Sequence, residues 1–530
     1  MTMERYPRQI SPICADGWVF EQLTSPSRLT SANGLRTGSD GRIYVAQFIG
    51  SKISAIDPDC GDIEHISNMG GDIIAPDDIA FDSLGNLYAT EVMDGRVSIR
   101  TKTGHTRVLR DDLPAANGIT IHQDRLFIDE SRHNGRLIEL DLSGRMIRTL
   151  AENLPFPNAL EVGPDGLLYF PVMAANEIWR VNPNGGEPER IAVDLGKPDA
   201  VKFDSNGYIV STQLETGQVL RIDPRTGRKD VLAQLEPGLD NLTFVGDRLF
   251  VSHYWDGRIT EIVAGGGTRS VIPGGLCWPL GLAVADDGVL FIADGYSLRV
   301  LRRGEQPHTV GMAFGAGFPG TPRGIARLDD GRLAITTLGG HICIHRPYSA
   351  EYELVAEGFD QLYGVAALGR KLIVAERGTG RVLSVGEGHV QVLAKDLNEP
   401  TDVAVTADGS CIVSEAGAGR IVRVSNSGVE NLLDGLLQPQ GLLVQHDRLY
   451  IVDAGSKALV AYDLTRRNRS IIAIGLPVGA PPSVVPKPLR GMQPFIGPLG
   501  NFAAIAAAQD GTIYISGDAD GSVIAMSRTA

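Results

Sequence analysis

The sequence predicts an all-β fold of two tandem six-bladed β-propellers with four-stranded antiparallel blades, and three observations carry that prediction. A unit of about forty residues recurs along the chain. Each unit holds short apolar runs separated by turns such as SDGR, SLGN, PDGL, SNGY, DDGV and QDGT. At 530 residues the chain is too long for a single hydrophobic core.

The first six units begin at Asn33, Asp77, Asn117, Asn158, Asp199 and Asp240, and six more begin near Leu280, Arg323, Tyr363, Thr401, Gln440 and Ala503. A short apolar run leads into an Asp-Gly or Asn-Gly turn, whose glycine supplies the positive φ that a tight hairpin needs. A stronger apolar strand follows, as in RIYVA, NLYAT, VLFIA and RLYIV. A polar loop, a third strand such as RVSIR or QVLRI, another turn and a fourth strand such as TRVLR complete the unit. Four antiparallel strands repeated radially make a propeller blade. Twelve blades exceed the usual size of one ring, so two rings of six are expected.

The boundary is expected in the small-residue run Ala264-Gly265-Gly266-Gly267, near the midpoint. That gives an N-terminal propeller over 1–265 and a C-terminal, NHL-like propeller over 266–530. The last unit ends after its third strand, SVIAMSR, so another strand must complete its blade and leave no unpaired edge. Two orphan strands are available, GWVFEQL at 17–23 and TRSVI at 268–272. The expectation is that each ring is closed by the strand ahead of it, GWVFEQL for the first and TRSVI for the second. The crossed arrangement is the alternative. The Pro- and Gly-rich segment 475–501 breaks the period and cannot be a central strand. It reads as an ordered surface loop, with a lid over a central pocket as the alternative.

In a propeller the first strand of each blade lines the central channel, so the opening residues of the units form a ring. In the first half that ring is Asn33, Asp77, Asn117, Asn158, Asp199 and Asp240, all carboxylates or carboxamides, with Asp78 and Asn241 following directly. In the second half it is Leu280, Arg323, Tyr363, Thr401, Gln440 and Ala503, a set unable to hold a hard cation. Crowded carboxylates repel and are poorly solvated, and a bound cation relieves both costs. Ca²⁺ accepts about six to eight oxygen ligands with loose geometry. The ring holds no Cys or His, which argues against Zn²⁺ or Cu²⁺. Asn and Asp also form Asx turns before strands, but that habit would show in both halves. The expected metal set is therefore Asn33, Asp77, Asn117, Asn158, Asp199, Asp240 and Asn241 around Ca²⁺ or another divalent cation.

The ends of the second strands give a further ring: Gln47, Glu91, Glu130, Val172, Thr212 and His253 in the first half. Glu91, Glu130 and His253 are candidate acid–base groups beside a metal, although a lone rim histidine also serves as an ordinary hydrogen-bonded residue. The matching acids of the second half, which include Asp294, Glu376, Glu415 and Asp453, are expected to pair with loop arginines such as Arg377.

A net charge of −14 repels phosphate backbones, so nucleic acid is not an expected partner, and a small-molecule substrate is. No stretch approaches a membrane span, and the opening MTMERYPRQISPICADGWVF has no apolar signal core. The five cysteines are odd in number and form no CxxC pair, so neither a disulfide framework nor a zinc knuckle is suggested. The expected location is a reducing cytoplasm.

Three blades resemble those of the paraoxonase and gluconolactonase (senescence marker protein-30) superfamily. PAANGITIHQDRLFIDESRHNGRLIEL is similar to its Asn-Gly-Ile blade, PDDIAFDSLGNLYATEVMDGR to its Asn-Asp-Ile-Ala blade, and LDNLTFVGDRLFVSHYWDGR to its Asp-Asn blade. The resemblance implies six-bladed propellers that use an axial Ca²⁺ to hydrolyse lactones and related esters. It places the metal ligands on Asn33, Asp77, Asn117, Asp240 and Asn241, and the gluconolactonase branch adds Asp199 as ligand or base. Asn33 stands where the family usually has Glu, and Asp77 where Asn is common. The paraoxonase histidine pair has no clear counterpart. The expected activity is metal-dependent hydrolysis of a lactone or related cyclic ester, with Asp199, Asp240 or His253 activating water. A metal-assisted lyase opening a cyclic ester and a non-catalytic NHL-type scaffold are the alternatives.

Overall fold

Each repeat unit folds into its own antiparallel sheet. The computed structural model describes residues 11–67, 70–313, 318–349, 351–480 and 500–529, and these residues form twelve sheets. The helical content among them is two single 3₁₀ turns, Met173–Ala175 and Ala416–Ala418. Most of the Pro-rich segment expected as a loop or lid, 481–499, lies outside the described residues. The chain divides into two compact units. Arg28–Gly274 form the first, and 11–27, 275–480 and 500–529 belong to the second. Each unit contains six sheets.

In the first unit the inner strands are Leu35–Thr37, Pro76–Phe81, Ala116–His122, Glu161–Val162, Pro198–Phe203 and Leu239–Val245. The sheets follow one another in chain order, and the sixth packs back against the first, which closes the ring. A blade is covered on both faces by its neighbours, so its middle strands are apolar on both. Leu87–Glu91 is buried along its whole length. The core lies between blades: Tyr88, Val97 and Ile99 of the second sheet pack against Ile119, Leu126 and Ile138 of the third. The hairpin turns follow the expected chemistry. Asp82 Oδ1 accepts the backbone N–H groups of Leu84 and Asn86, while Gly85 takes a φ of 82° that a side chain would resist.

A bulge interrupts the inner strand where the ring residues sit. Pro76 pairs with Glu91 and Ile79 pairs with Ala89, so Asp77 and Asp78 together oppose the single residue Thr90. The same two-against-one step places Asn117 and Gly118 opposite Asp129, Asp199 and Ala200 opposite Thr212, and Asp240 and Asn241 opposite Ser252. A bulge re-aims one side chain out of the alternation of the strand. The hydroxyl opposite the bulge braces it. Thr212 Oγ1 accepts the N–H of Ala200 at 3.1 Å and donates to the Asp240 carbonyl of the next blade. Ser252 Oγ accepts from Asn241 N at 3.0 Å and donates to the Asn33 carbonyl at 2.8 Å, which ties the sixth blade to the first.

The rings close in the crossed arrangement, which reverses the sequence expectation. Thr268–Ile272 pairs with Ile259–Ile262 and completes the sixth blade of the first unit. Trp18–Gln22 pairs with Ser522–Arg528 and completes the last blade of the second, while Ile13–Cys14 adds a fifth strand beside Asn468–Ile474. The first unit thus runs to Gly274 rather than 265, and residues 11–27 go with the second. The side chains explain the choice. Val271 and Ile272 fill the seam formed by Leu29, Leu35, Ile43 and Phe250. Trp18, only 7% exposed, packs edge-on against Tyr450 at 6.1 Å among Val452, Ile515 and Met526, and Arg528 lies over its ring at 4.3 Å. An indole needs a seam of this size.

Candidate metal centre and active site

The six ring residues of the first unit, four of them on bulges, meet as three Asn–Asp pairs. Asn33 Nδ2 donates to Asp240 Oδ2 at 3.1 Å, Asn158 Nδ2 donates to Asp199 Oδ1 at 2.9 Å, and the Asn117 side chain hydrogen-bonds Asp77. Each pair joins neighbours in the ring order. Asn33, Asn158, Asp199 and Asp240 are buried, and Asp77 and Asn117 are partly so.

The three carboxylates share a desolvated space and feel one another. Burial, then the Asp78 charge, pushes the Asp77 carboxyl up to about 7, against the bond from Asn117. Asp199 is raised well above the carboxylate range by burial and by Asp77 and Asp78. Asp240 is raised likewise by burial and by Asp199, Asp77 and Asp78. Burial and mutual repulsion disfavour the charged carboxylates by more than the amide hydrogen bonds offset, which marks the ring as a candidate functional site.

The donor set suits a hard cation: Asp77, Asp199 and Asp240 supply carboxylate oxygens, and Asn33 and Asn117 supply amides. Three expected amide ligands have their oxygens engaged, Asn33 Oδ1 accepting the Phe48 N–H over a long 3.4 Å. Asn158 Oδ1 accepts the Ala159 N–H at 3.0 Å, and its amino group also meets Met173 Sδ at 3.1 Å. Asn241 Oδ1 accepts the Leu242 N–H at 2.8 Å. Among the described residues no three His, Cys, Asp or Glu side chains form a ready metal cluster. The ring carboxylates instead turn toward their asparagines, and binding an ion would require them to turn inward.

Glu91 and Glu130 are not free acids. Glu91, fully buried, is bound by Arg96, Ser98 and the Ile74 N–H, and Glu130 by Arg132 and Arg136. The second unit uses the same device, with Glu376 bonded by Arg381 and the Asp360 N–H, and Glu415 by Arg420 and the Asn398 N–H. Glu91, Glu376 and Glu415 at the end of the second strand thus latch the loop that precedes their blade, whereas Glu130 pairs with arginines that follow its own strand. Gln213, not Thr212, holds this position in the fifth blade, accepting from Gly196 N at 2.9 Å. Arg377 pairs with Glu399 at 2.7 Å rather than with a rim acid. His253 is fully buried at the same position. Its Nε2 meets the Glu236 carbonyl at 3.3 Å, burial favours its neutral form, and its charged neighbours are Asp256, Arg258 and Glu236, not the ring.

Two residues at the ring escape a reading by sequence motif. Asp129 takes the place opposite the bulge where other blades carry Thr90, Thr212 or Ser252. Its Oδ1 accepts the Gly118 N–H at 3.1 Å, as those hydroxyls accept from their bulges, but its buried Oδ2 has no partner among the described residues. Burial, with Asp78, Asp77 and Glu130 nearby, raises its pKa far above the usual value. A protonated Asp129 regains the donor that a hydroxyl supplies. Aligning the penultimate residues of the second strands would have exposed it. Tyr254, 5% exposed, follows His253 and packs edge-on against Trp255. Burial and the charges of Asp240 and Asp199 push its phenol up, so the hydroxyl sits within their field.

The second ring has no such chemistry. Arg323, fully buried, stacks over Tyr363 at 4.0 Å, and Gln440 Oε1 accepts the Ala503 N–H at 2.7 Å.

Fold and ring define the first unit as a β-propeller with an acidic, amide-lined axial site. Residues 74–252 match the family model described as SMP-30/Gluconolactonase/LRE-like region, so the expected superfamily resemblance is found over that stretch. No curated protein matches the chain. Among solved structures, virginiamycin B lyase from Staphylococcus aureus, in a catalytically inactive form with quinupristin, is 18% identical over 52% of this chain and 96% of its own, with a TM-score of 0.39. The nidogen/laminin complex is 23% identical over 38% and 79%, with a TM-score of 0.35. The extracellular domain of a hybrid two-component system from B. thetaiotaomicron is 12% identical over 96% and 82%, also with a TM-score of 0.35. No helix among the described residues is long and apolar enough to cross a membrane.

Proposed function

We propose that the first unit is a divalent-cation-dependent hydrolase of lactones or related cyclic esters, with Ca²⁺ as the expected ion. The observation that carries the reading is the set of three carboxylates, buried Asp199 and Asp240 and partly buried Asp77, each held by an asparagine of the ring that carries the gluconolactonase-like region. Asp77, Asp199, Asp240, Asn33 and Asn117 are the groups that would hold the ion. When bound, a hard cation supplies Lewis-acid polarisation of an ester carbonyl and stabilises the oxyanion that develops on it.

The remaining steps belong to the chain. Asp199 Oδ1 is fixed by Asn158, which leaves Oδ2 to take a proton from the attacking water. Asn33 orients Asp240 in the same way. Tyr254 O–H, in the field of Asp240 and Asp199, would donate to a substrate oxygen.

The test is a pH-stat assay on a panel of γ- and δ-lactones with the full chain in CaCl₂. Turnover that stops on chelation, falls about 10²-fold or more in Asp199→Asn, and incorporates oxygen from H₂¹⁸O supports hydrolysis. Turnover that survives exhaustive chelation refutes it, and ring opening without ¹⁸O uptake assigns a lyase instead.

A further inference from the structure

Three residues past each ring position, the first unit places Arg36, Ala80, Thr120, Glu161, Lys202 and Thr243, whereas the second places Ala283, Ala326, Ala366, Ala404, Leu443 and Ala506. The charged set thus occurs only in the unit with the acidic ring. Its members meet. Glu161 Oε2 lies 2.8 Å from Lys202 Nζ and 2.9 Å from Arg36 Nη1. Arg36 also donates from Nε to the Ile79 carbonyl at 3.0 Å and from Nη2 to the Ile119 carbonyl at 2.9 Å, so one guanidinium spans from the first blade to the second, third and fourth. The side chains are 8% (Lys202), 21% (Glu161) and 16% (Arg36) exposed.

Two cations share one anion, so the layer carries a net positive charge. It adjoins the acidic ring: Arg36, Glu161 and Lys202 follow Asn33, Asn158 and Asp199 by three residues, and Ile119, whose carbonyl accepts from Arg36, donates its N–H to Asp78 Oδ2 at 3.3 Å. Packing alone does not require charge there, because alanines and a leucine occupy the same positions in the second unit.

We infer that the Arg36–Glu161–Lys202 triad is an electrostatic governor of the ring, its net positive charge setting how tightly the axial carboxylates hold a divalent cation. This rests on the reading of the ring as a cation site. Lys202 lies three residues from Asp199, about 10 Å along a strand. At that distance and the effective screening of a protein interior, a unit charge changes the affinity for a divalent ion about tenfold or more.

The experiment is calorimetric titration of the metal-free full chain with CaCl₂ alone. Lys202→Met should bind about tenfold tighter and Glu161→Gln about tenfold weaker, whereas Lys202→Arg should stay within about twofold. A structural role would weaken binding in both Lys202→Met and Glu161→Gln, so opposite signs are the decisive result. Shifts in one direction, or none beyond about twofold, overturn the inference while the ring reading stands, provided Asp240→Asn abolishes binding. If wild-type protein binds no Ca²⁺, or Asp240→Asn binds as well as wild type, the ring reading fails and the inference falls with it. Circular dichroism melts in EDTA establish that each variant is folded. Should Lys202→Met not fold, Lys202→Gln replaces it, with the same expected tightening against the weakening in Glu161→Gln.

Discussion

Replacing Asp77 by asparagine removes one carboxylate from the ring and keeps its shape, so it separates the cost of crowded charge from the gain of binding an ion. Burial and the Asp78 charge raise this carboxyl from 3.8 to about 7. The folded chain therefore holds the proton more tightly than the unfolded chain. The stability this supplies is complete below about pH 4 and is lost as pH rises through 7. A gap of three units corresponds to about 4 kcal/mol for a wholly buried group. Asp77 is partly exposed and its partners relax with it, so about 2 kcal/mol is the working figure. For a unit of this size that is about 4–8 °C in melting temperature. In EDTA at pH 8, Asp77→Asn should melt higher than wild type by that amount in the transition that responds to Ca²⁺, and at pH 4 the two should coincide. In millimolar CaCl₂ at pH 8 the order should reverse, because the wild-type carboxylate then has a counter-ion. Scanning calorimetry at the two pH values measures this. A variant less stable than wild type in EDTA at pH 8, or a gap that ignores pH, would refute the reasoning.

Asp129→Asn should behave in the same sense without touching the ion. The amide keeps the acceptor for Gly118 and gains a donor, so the stability that wild type loses as pH rises through the raised Asp129 pKa is retained, and melts at pH 8 but not at pH 4 should move upward. Glu91→Ala strips Arg96, Ser98 and the Ile74 N–H of their shared partner and should cost about 3 kcal/mol in denaturant unfolding. Lactone turnover by the folded variant in the pH-stat assay should stay near wild type, which distinguishes a latch from a catalytic acid. Trp18→Ala should cost about 3–5 kcal/mol and lower the melting of the second unit while leaving the Ca²⁺-responsive transition in place, because this indole closes a blade of the second unit.

The repeat and its turn glycines made the twelve sheets legible, since a forty-residue unit with Asp-Gly turns has few other ways to bury its strands. Asn33, Asp77, Asn117, Asn158, Asp199 and Asp240 were legible as a ring because they open the inner segment of successive units, where four of the six lie on a bulge. Closure of the rings was not legible, because TRSVI and GWVFEQL are both plausible outer strands by pattern. The volume of Trp18 and the seam around Tyr450 decide between them, and volume matching across hundreds of residues leaves no local trace. Glu91 and Glu130 looked reactive because a motif shows a carboxylate but not the arginines that come to meet it. Asp129 and Tyr254 were missed because their significance lies in what their blade-mates lack and in which neighbours they approach. Neither is written in a short motif.

The account stands on Asp77, Asp199 and Asp240 holding one ion on the axis of the first unit. Anomalous diffraction from crystals of the full chain grown with Mn²⁺ or Tb³⁺ in place of Ca²⁺ tests this most directly. The expected result is a peak about 2.3–2.6 Å from oxygens of these three carboxylates, with the side chains turned away from their asparagines. A ring with no peak, the Asn33–Asp240 and Asn158–Asp199 bonds intact at saturating metal, would contradict it.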